Sequence, residues 1–417
     1  MAHNYPTIIV GGGQAGLSTS YHLKQRGHEH VVLEQAAQAG NAWRNDRWDS
    51  FVLNTPNWMF RLPGAEYAGD HPDGFMCKQE IVTTFEHYIE RCQLPVQYGM
   101  RVISVEPLAE GTGYRVKTDK TVLEARNVVI ATGQYQRPKI PAFSAELSPH
   151  ITQLHSGHYR NPQALPAGAV LVVGSGQSGS QIAEELYLSG RQVYLCVSGV
   201  GRAPRRYRGK DVLEWLYMNG YLDRTPDKLK SSRDRFAANP LISGTNGGHT
   251  LNLHQFARDG VSLLGRIQDG RESKIWLTPD LKQNLTRADR IEAEIVKQID
   301  DFIVRTGLES PQESLPVLRD GYEVEEIPIL DLMSAGINTI IWAMGYAFDF
   351  NMVKLPIFDG DGYPIQRRGV TDYAGLFFVG LPWLHKQKSG LLVGVGEDAE
   401  YLADVITTKE MSNAVIL

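Results

Sequence analysis

Gly11, Gly13 and Gly16, in the string GGGQAG, and Gly174, Gly176 and Gly179, in GSGQSG, repeat one G-x-G-x-x-G spacing in the two halves of the chain. Such a turn lets bare backbone N–H groups and the positive end of a helix approach a pyrophosphate, because no side chain stands between them. The spacing alone is weak evidence in a chain with 41 glycines among 417 residues. Its setting strengthens it. Each copy follows a short apolar run, Thr7 to Val10 and Val170 to Val173, and each opens a helical pattern. Gln14, Ala15, Gln177 and Ser178 lie in the same turns and are expected beside the phosphates.

The copies differ at the tip of the next strand. Glu34 stands 23 residues after Gly11, closing the run His30 to Leu33, with Gln35 beside it. A carboxylate there accepts both hydroxyls of an unphosphorylated ribose. The same count from Gly174 reaches Val197 and then Ser198 without an acid, followed by Arg202, Arg205, Arg206 and Arg208. Guanidinium groups hold a 2′-phosphate bidentately, although a solvated basic loop is the plainer alternative. FAD is therefore expected at the first site and NADPH at the second, which implies a flavoprotein.

The elements that must carry these residues are legible in outline. A first helix runs to Arg26 and stops at Gly27. Alternating runs Arg101 to Glu106, Tyr114 to Thr118 and Thr121 to Ala125, broken at Gly111, Gly113 and Asp119, predict a small antiparallel meander. A separate apolar run, Val128 to Ala131, follows it. The second cycle gives a helix to about Leu188 and a strand from Gln192 to Val197. It also holds an insertion, whose clearest part is an amphipathic packing helix from Leu281 to Thr306, closed by Gly307. A strand from Leu376 to Val379, the turn Gly380 to Pro382 and a helix after Gly390 end the chain. The expected fold class is α/β, with two Rossmann-like dinucleotide-binding domains. Residues 1–162 and 336–417 form the FAD domain, and 163–335 the NADPH domain with the meander in the first and the helical insertion in the second.

Composition narrows the partners. With 42 Lys and Arg against 47 Asp and Glu, the net charge is −5, which gives no general attraction to nucleic acid or anionic lipid. The three cysteines, Cys77, Cys92 and Cys196, form no CxxC pair and no zinc spacing, so no metal is expected. They suit a reducing cytoplasm. No signal peptide or membrane span is read, and the oligomeric state stays open, a homodimer included.

Four further strings are ATGQYQRPKIP from Ala131, HSGHYRNP from His155, WAMGY from Trp342 and GLFFVGLPW from Gly375. With SFVLNTPNW, Ser50 to Trp58, they give nearly the whole chain a resemblance to the flavin-containing monooxygenase family, the class B flavoprotein monooxygenases. The resemblance implies that NADPH reduces FAD, and that the reduced flavin captures dioxygen as a C4a-hydroperoxide. The distal oxygen then passes to a small organic substrate. It makes Asn54 the donor beside the flavin, Trp43 a flavin-side aromatic and Arg44 a phosphate contact. Val102, Ala131, Thr132, Gly133, Gly345 and Gly380 are expected around the two dinucleotides. Ser389 and Gly390, ahead of the last helix, are expected to face the flavin.

His155 and Tyr159 match the second half of the family fingerprint, whose leading Phe and Gly positions hold Pro149 and Ile151 here. Tyr159 implies N- or S-oxygenation or oxidative decarboxylation rather than Baeyer–Villiger chemistry. His155 reads equally as a linker histidine. Two rival readings remain at this level: a reductase or dehydrogenase passing flavin electrons to a quinone or protein acceptor, and a non-catalytic flavin sensor. GNAWRNDRWDS carries no cysteine, which argues against a disulfide reductase.

Overall fold

A mixed sheet and a parallel sheet present the carboxyl ends of their parallel strands to one cavity, and the glycine turns sit on those edges. The computed structural model describes residues 3–109 and 113–414, so the predicted break at Gly111 lies outside the described residues. Strands β1 (His3–Val10) and β2 (His30–Glu34) flank helix α1 (Gln14–Gln25). Helix α2 (Lys78–Cys92) leads to β3 (Val96–Tyr98), β4 (Val102–Pro107), β5 (Tyr114–Thr118) and β6 (Val122–Ile130). The second cycle holds β7 (Thr152–His155), β8 (Ala169–Val173), α3 (Gln177–Leu188), β9 (Val193–Cys196) and α4 (Val212–Met218). It continues with β10 (Ser262–Leu264), the long α5 (Leu281–Thr306) and β11 (Ile337–Trp342). Strand β12 (Leu376–Phe378) and α6 (Val395–Ala414) finish the chain.

The first sheet runs β3-β2-β1-β6-β5-β4, with β12 on β6. Ile8, Ile9, Val32, Val128 and Val129 are fully buried, as strands covered on both faces require. The last run of the meander and the apolar run after it are one strand rather than two. β6 lies parallel to β1 from Leu123 to Ile130 while Val122 to Ala125 also pair antiparallel with β5, so no break is needed at Arg126.

The second sheet runs β7-β11-β8-β9-β10. His155 pairs with Trp342, and Val173 with the same Trp342 from the other side. Both chain crossings between the units therefore contribute strands to this sheet. It spans Thr152 to Trp342, wider than the limits of 163 and 335 read from the sequence, because Ile337 to Trp342 is an interior strand of this sheet, between Thr152–His155 and Ala169–Val173.

The insertion helix begins and ends where predicted, and Gly307 closes it at φ +66. Its buried Ile295, Ile299 and Ile303 pack with Trp215 and Leu216 of α4. That support fixes α4 over the space between the sheets. Among the described residues no helix is long and apolar enough to cross a membrane.

Candidate active site

One cavity of about 1900 Å³ runs from the first glycine turn to the second, along the carboxyl ends of both sheets. Ligands bind at this edge in open α/β sheets because the strand order reverses there and leaves a crevice.

The two turns are built alike. Gly11 (φ +110) has Ala131 O only 2.6 Å from where a Cβ would sit, and Gly16 packs on Gly11 O, which a Cβ would meet at 1.9 Å. Gly174 (φ +105) and Gly179 repeat this against Ala343 O and Gly174 O, at 2.7 and 1.8 Å. These four glycines are required by close backbone packing. Gly13 and Gly176 differ. A Cβ on either would meet nothing within 4 Å, and each caps its helix without a side-chain partner. The first-turn amides of α1 and α3 are thus left for a ligand, an arrangement that fits the phosphates of two dinucleotides.

At the first strand tip Glu34 Oε2 accepts from Gly12 N at 2.7 Å and Oε1 from Ala36 N at 2.8 Å, so the carboxylate is held facing the cavity with lone pairs to spare. At the second tip Ser198 N donates instead to Ser175 Oγ at 2.9 Å. Gln14, Ala15, Gln35, Trp43, Val102, Ala131, Thr132 and Gly133 line the first half of the cavity. Gln177, Ser178, Ser198 and Gly345 line the second. Gly380 (φ +79) and Gly390 also line it. Gly390 O accepts from Gln14 Nε2 at 2.8 Å, which brings the C-terminal segment up to the α1 turn.

Asn54 faces the cavity between the halves. Its Oδ1 accepts from Gln181 Nε2 at 2.9 Å, which turns the amide and leaves Nδ2 as a donor. Trp383, which also lines the cavity, sits at φ +59, a left-handed backbone that a bulky residue adopts only under constraint.

The structure overturns several expected roles. His155 is 1% exposed and off the cavity: Nδ1 accepts from Gly157 N and Nε2 donates to Gly345 O at 3.1 Å. Burial lowers its pKa, so it is a neutral linker histidine. Tyr159 is fully buried and donates to Glu185 Oε2 at 2.8 Å; burial, reinforced by that carboxylate, pushes its hydroxyl pKa far up. Neither touches the reaction space.

Arg44 pairs with Glu86 at 2.6 Å rather than a phosphate. Ser389 Oγ accepts from His385 N and Lys386 N, which uses it in its own turn.

The arginines after Ser198 are occupied too. Arg202 binds Asp289 and Glu292, Arg205 binds Asp211, Arg208 binds Asp300, and Arg206 donates to Gly247 O and Gly248 O. They fasten the insertion to α5 and its loops. The sequence hid the pairing of Arg202 and Arg208 because their carboxylate partners lie 87 to 92 residues away.

Two cations missed in the sequence lie at the second strand tip. β9 and β10 pair in the register Cys196↔Leu264, so Ser198 and Arg266 each follow their strand by two residues and emerge side by side. Arg266 lines the cavity, its side chain is 59% exposed, and its Nε holds Asp280 at 2.5 Å. Arg287 Nη1 lies 3.4 Å from where a Gly199 Cβ would stand. An Arg two residues past a third parallel strand was the available signal. Cys77, Cys92 and Cys196 are all unpaired, and burial pushes the Cys196 thiol up to about 12.

Residues 8–217 match the family model described as pyridine nucleotide-disulphide oxidoreductase. An oxidoreductase of Geobacillus kaustophilus, called CzcO-like, is 33% identical over 97% of this chain and 99% of its own. Indole-3-pyruvate monooxygenase YUCCA1 of rice is 26% identical over 73% of this chain and 76% of its own. A flavin-containing monooxygenase from Stenotrophomonas maltophilia superposes with a TM-score of 0.66 at 19% identity, covering 98% of this chain and 99% of that one. The doubled glycine turn and the shared cavity agree with these likenesses. The chain belongs to the pyridine nucleotide-disulphide oxidoreductase family, and it is similar over most of its length to flavin-containing monooxygenases.

Proposed function

We propose that this protein is an NADPH-dependent monooxygenase that holds FAD at the first glycine turn, NADPH at the second, and oxygenates a small organic molecule by S- or N-oxygenation. The observation that carries the reading is the single cavity into which Gly13, Gly176 and Asn54 all open. When bound, the flavin supplies hydride acceptance from the nicotinamide and activation of dioxygen.

The chain supplies the rest. Glu34 accepts the adenosine ribose hydroxyls, and the α1 amides after Gly13 take the FAD pyrophosphate. The α3 amides after Gly176 take the second pyrophosphate, and Ser198, Arg266 and Arg287 take the 2′-phosphate. Asn54, oriented by Gln181, donates Nδ2–H into the space where oxygen meets substrate. Buried apolar walls keep water out, which limits loss of the activated oxygen as hydrogen peroxide. The position of Tyr159 removes the sequence argument against carbonyl insertion.

The test is to reduce the purified holoprotein anaerobically with NADPH and mix it with oxygenated buffer in a stopped-flow spectrometer. Delayed reoxidation through a distinct absorbing species, with ¹⁸O from dioxygen appearing in the product, is expected. Immediate return to oxidised flavin, with all oxygen released as hydrogen peroxide, would move the protein to the electron-transfer reductases. No reduction by NADPH would leave only a flavin-binding role.

A further inference from the structure

Asn54 belongs to the FAD unit, yet Gln181 Nε2 on its Oδ1 and Arg205 Nη1 on its carbonyl both reach it from the second unit. A further tie runs through the backbone. At Gly244 the insertion lies against the Asn54 loop: a Cβ there would stand 1.8 Å from Leu53 O and 3.1 Å from the Phe75 ring. The Gly244 backbone, φ −95 and ψ −12, is open to any residue, so the close approach alone requires glycine.

The segment that delivers Gly244 is fixed along its length. Leu241 N donates to Gly201 O at 2.9 Å, and Ser243 and His249 exchange main-chain hydrogen bonds at 3.0 and 3.2 Å. Between these, Ile242 turns both of its main-chain groups to one side chain. Gln177 Nε2 donates to Ile242 O, and Gln177 Oε1 accepts from Ile242 N at 3.3 Å. Ile242 is 7% exposed, and buried backbone groups of this kind need such partners.

Gln177 and Gln181 stand one helical turn apart on α3, so their side chains lie on one face. One grips the insertion at Ile242 and the other grips the amide of Asn54. The first two turns of α3 thus hold both of the chains that meet where Gly244 touches Leu53 O. In the string GSGQSG, Gln177 reads as a phosphate contact; in the fold both ends of its amide are spent on Ile242.

Resting on the monooxygenase reading above, in which Asn54 donates into the reaction space, we infer that Gln177 and Gly244 are positioning residues for oxygen transfer. Gln177 sets Ile242, Ile242 carries Gly244, and Gly244 sets the Leu53 carbonyl and with it the direction of the Asn54 amide. The helix that receives the second pyrophosphate also aims the donor.

The test uses oxidised holoprotein labelled with ¹⁵N-asparagine, in which the side-chain amide resonance of Asn54 is assigned by its loss from Asn54→Asp. Gln177→Met keeps the reach of the side chain and removes both hydrogen bonds, whereas Gly244→Ala pushes on Leu53 O. Each is expected to displace the Asn54 resonance and to leave Kd for NADP⁺ within about twofold. Each should also raise the hydrogen peroxide formed per NADPH consumed about threefold, with anaerobic flavin reduction unchanged. An Asn54 resonance that stays in place in Gln177→Met overturns the inference, as does a loss of NADP⁺ affinity of about tenfold, which would return Gln177 to the phosphates. If Gly244→Ala fails to fold, Gln177→Met decides alone. Displaced resonances with an unchanged peroxide yield uphold the placement of Asn54 and overturn the monooxygenase reading instead.

Discussion

Arg205 donates from Nη1 to the main-chain carbonyl of Asn54 across 2.6 Å, joining the insertion of the second unit to the loop that presents the cavity amide. The same guanidinium donates from Nε to Asp211 at 2.7 Å and stacks on Phe75 at 4.4 Å. Arg205 is therefore a positioning residue. Arg205→Ala strands Asp211 with its own burial and should cost about 3 kcal/mol of stability. KM for NADPH and for NADH should rise together. A urea denaturation curve and paired steady-state titrations check both points, and a selective loss of NADPH would return Arg205 to the phosphate site.

Arg266 carries the opposite expectation. Arg266→Ala, combined with Arg287→Ala, should raise KM for NADPH about tenfold or more, which is about 1.4 kcal/mol, with NADH little changed. Asp280, left without Arg266, still accepts from Arg266 N through the main chain, so the loop should keep its shape. Equal effects on the two coenzymes would remove both residues from the 2′-phosphate site.

Asn54→Ala deletes the free donor and leaves both glycine turns intact. Anaerobic flavin reduction by NADPH should keep its rate, while the hydrogen peroxide formed per NADPH consumed rises severalfold. Gln181→Ala should produce a weaker form of the same defect, because the Asn54 amide loses the partner that orients it. Unchanged peroxide yield in both variants would take Asn54 out of the reaction.

The glycines of the first turn should separate by role. Gly16→Ala forces a Cβ to 1.9 Å from Gly11 O and should cost about 3 kcal/mol or prevent folding. Gly13→Ala meets no protein atom, at a backbone angle of φ −83 that alanine accepts. The apoprotein should fold normally and bind FAD at least about tenfold more weakly. Calorimetry of the apoprotein and flavin titration distinguish the two.

His249 offers a pH readout beside the site. Its hydrogen bond to Glu184, 2.6 Å, raises the imidazole pKa above 6.5, against the opposing effects of burial and of Arg205. A raised folded-state pKa makes the pair's contribution fully present below pH 6.5 and lost as pH rises through the folded value. An NMR titration should place His249 above 6.5, and Glu184→Gln should bring it down and remove that part of the pH dependence.

The sequence determined what depends on local backbone geometry. Both glycine turns, Glu34 and the helix from Leu281 to Thr306 were readable because a strand, a tight turn and an amphipathic period are written in neighbouring residues. Asn54 was readable only through a resemblance, and its placement on the cavity fits.

Tertiary structure decided the assignments that need a distant partner. Arg202 and Arg208 read as part of a phosphate cluster until Asp289 and Asp300 came to meet them. Arg266 read as nothing until strand register set it beside Ser198. Tyr159 and His155 read as catalytic until packing buried them on Glu185 and Gly345. Charge is neutralised by whatever the fold brings within a few ångströms, and that proximity is a property of chain crossings, not of spacing along the chain.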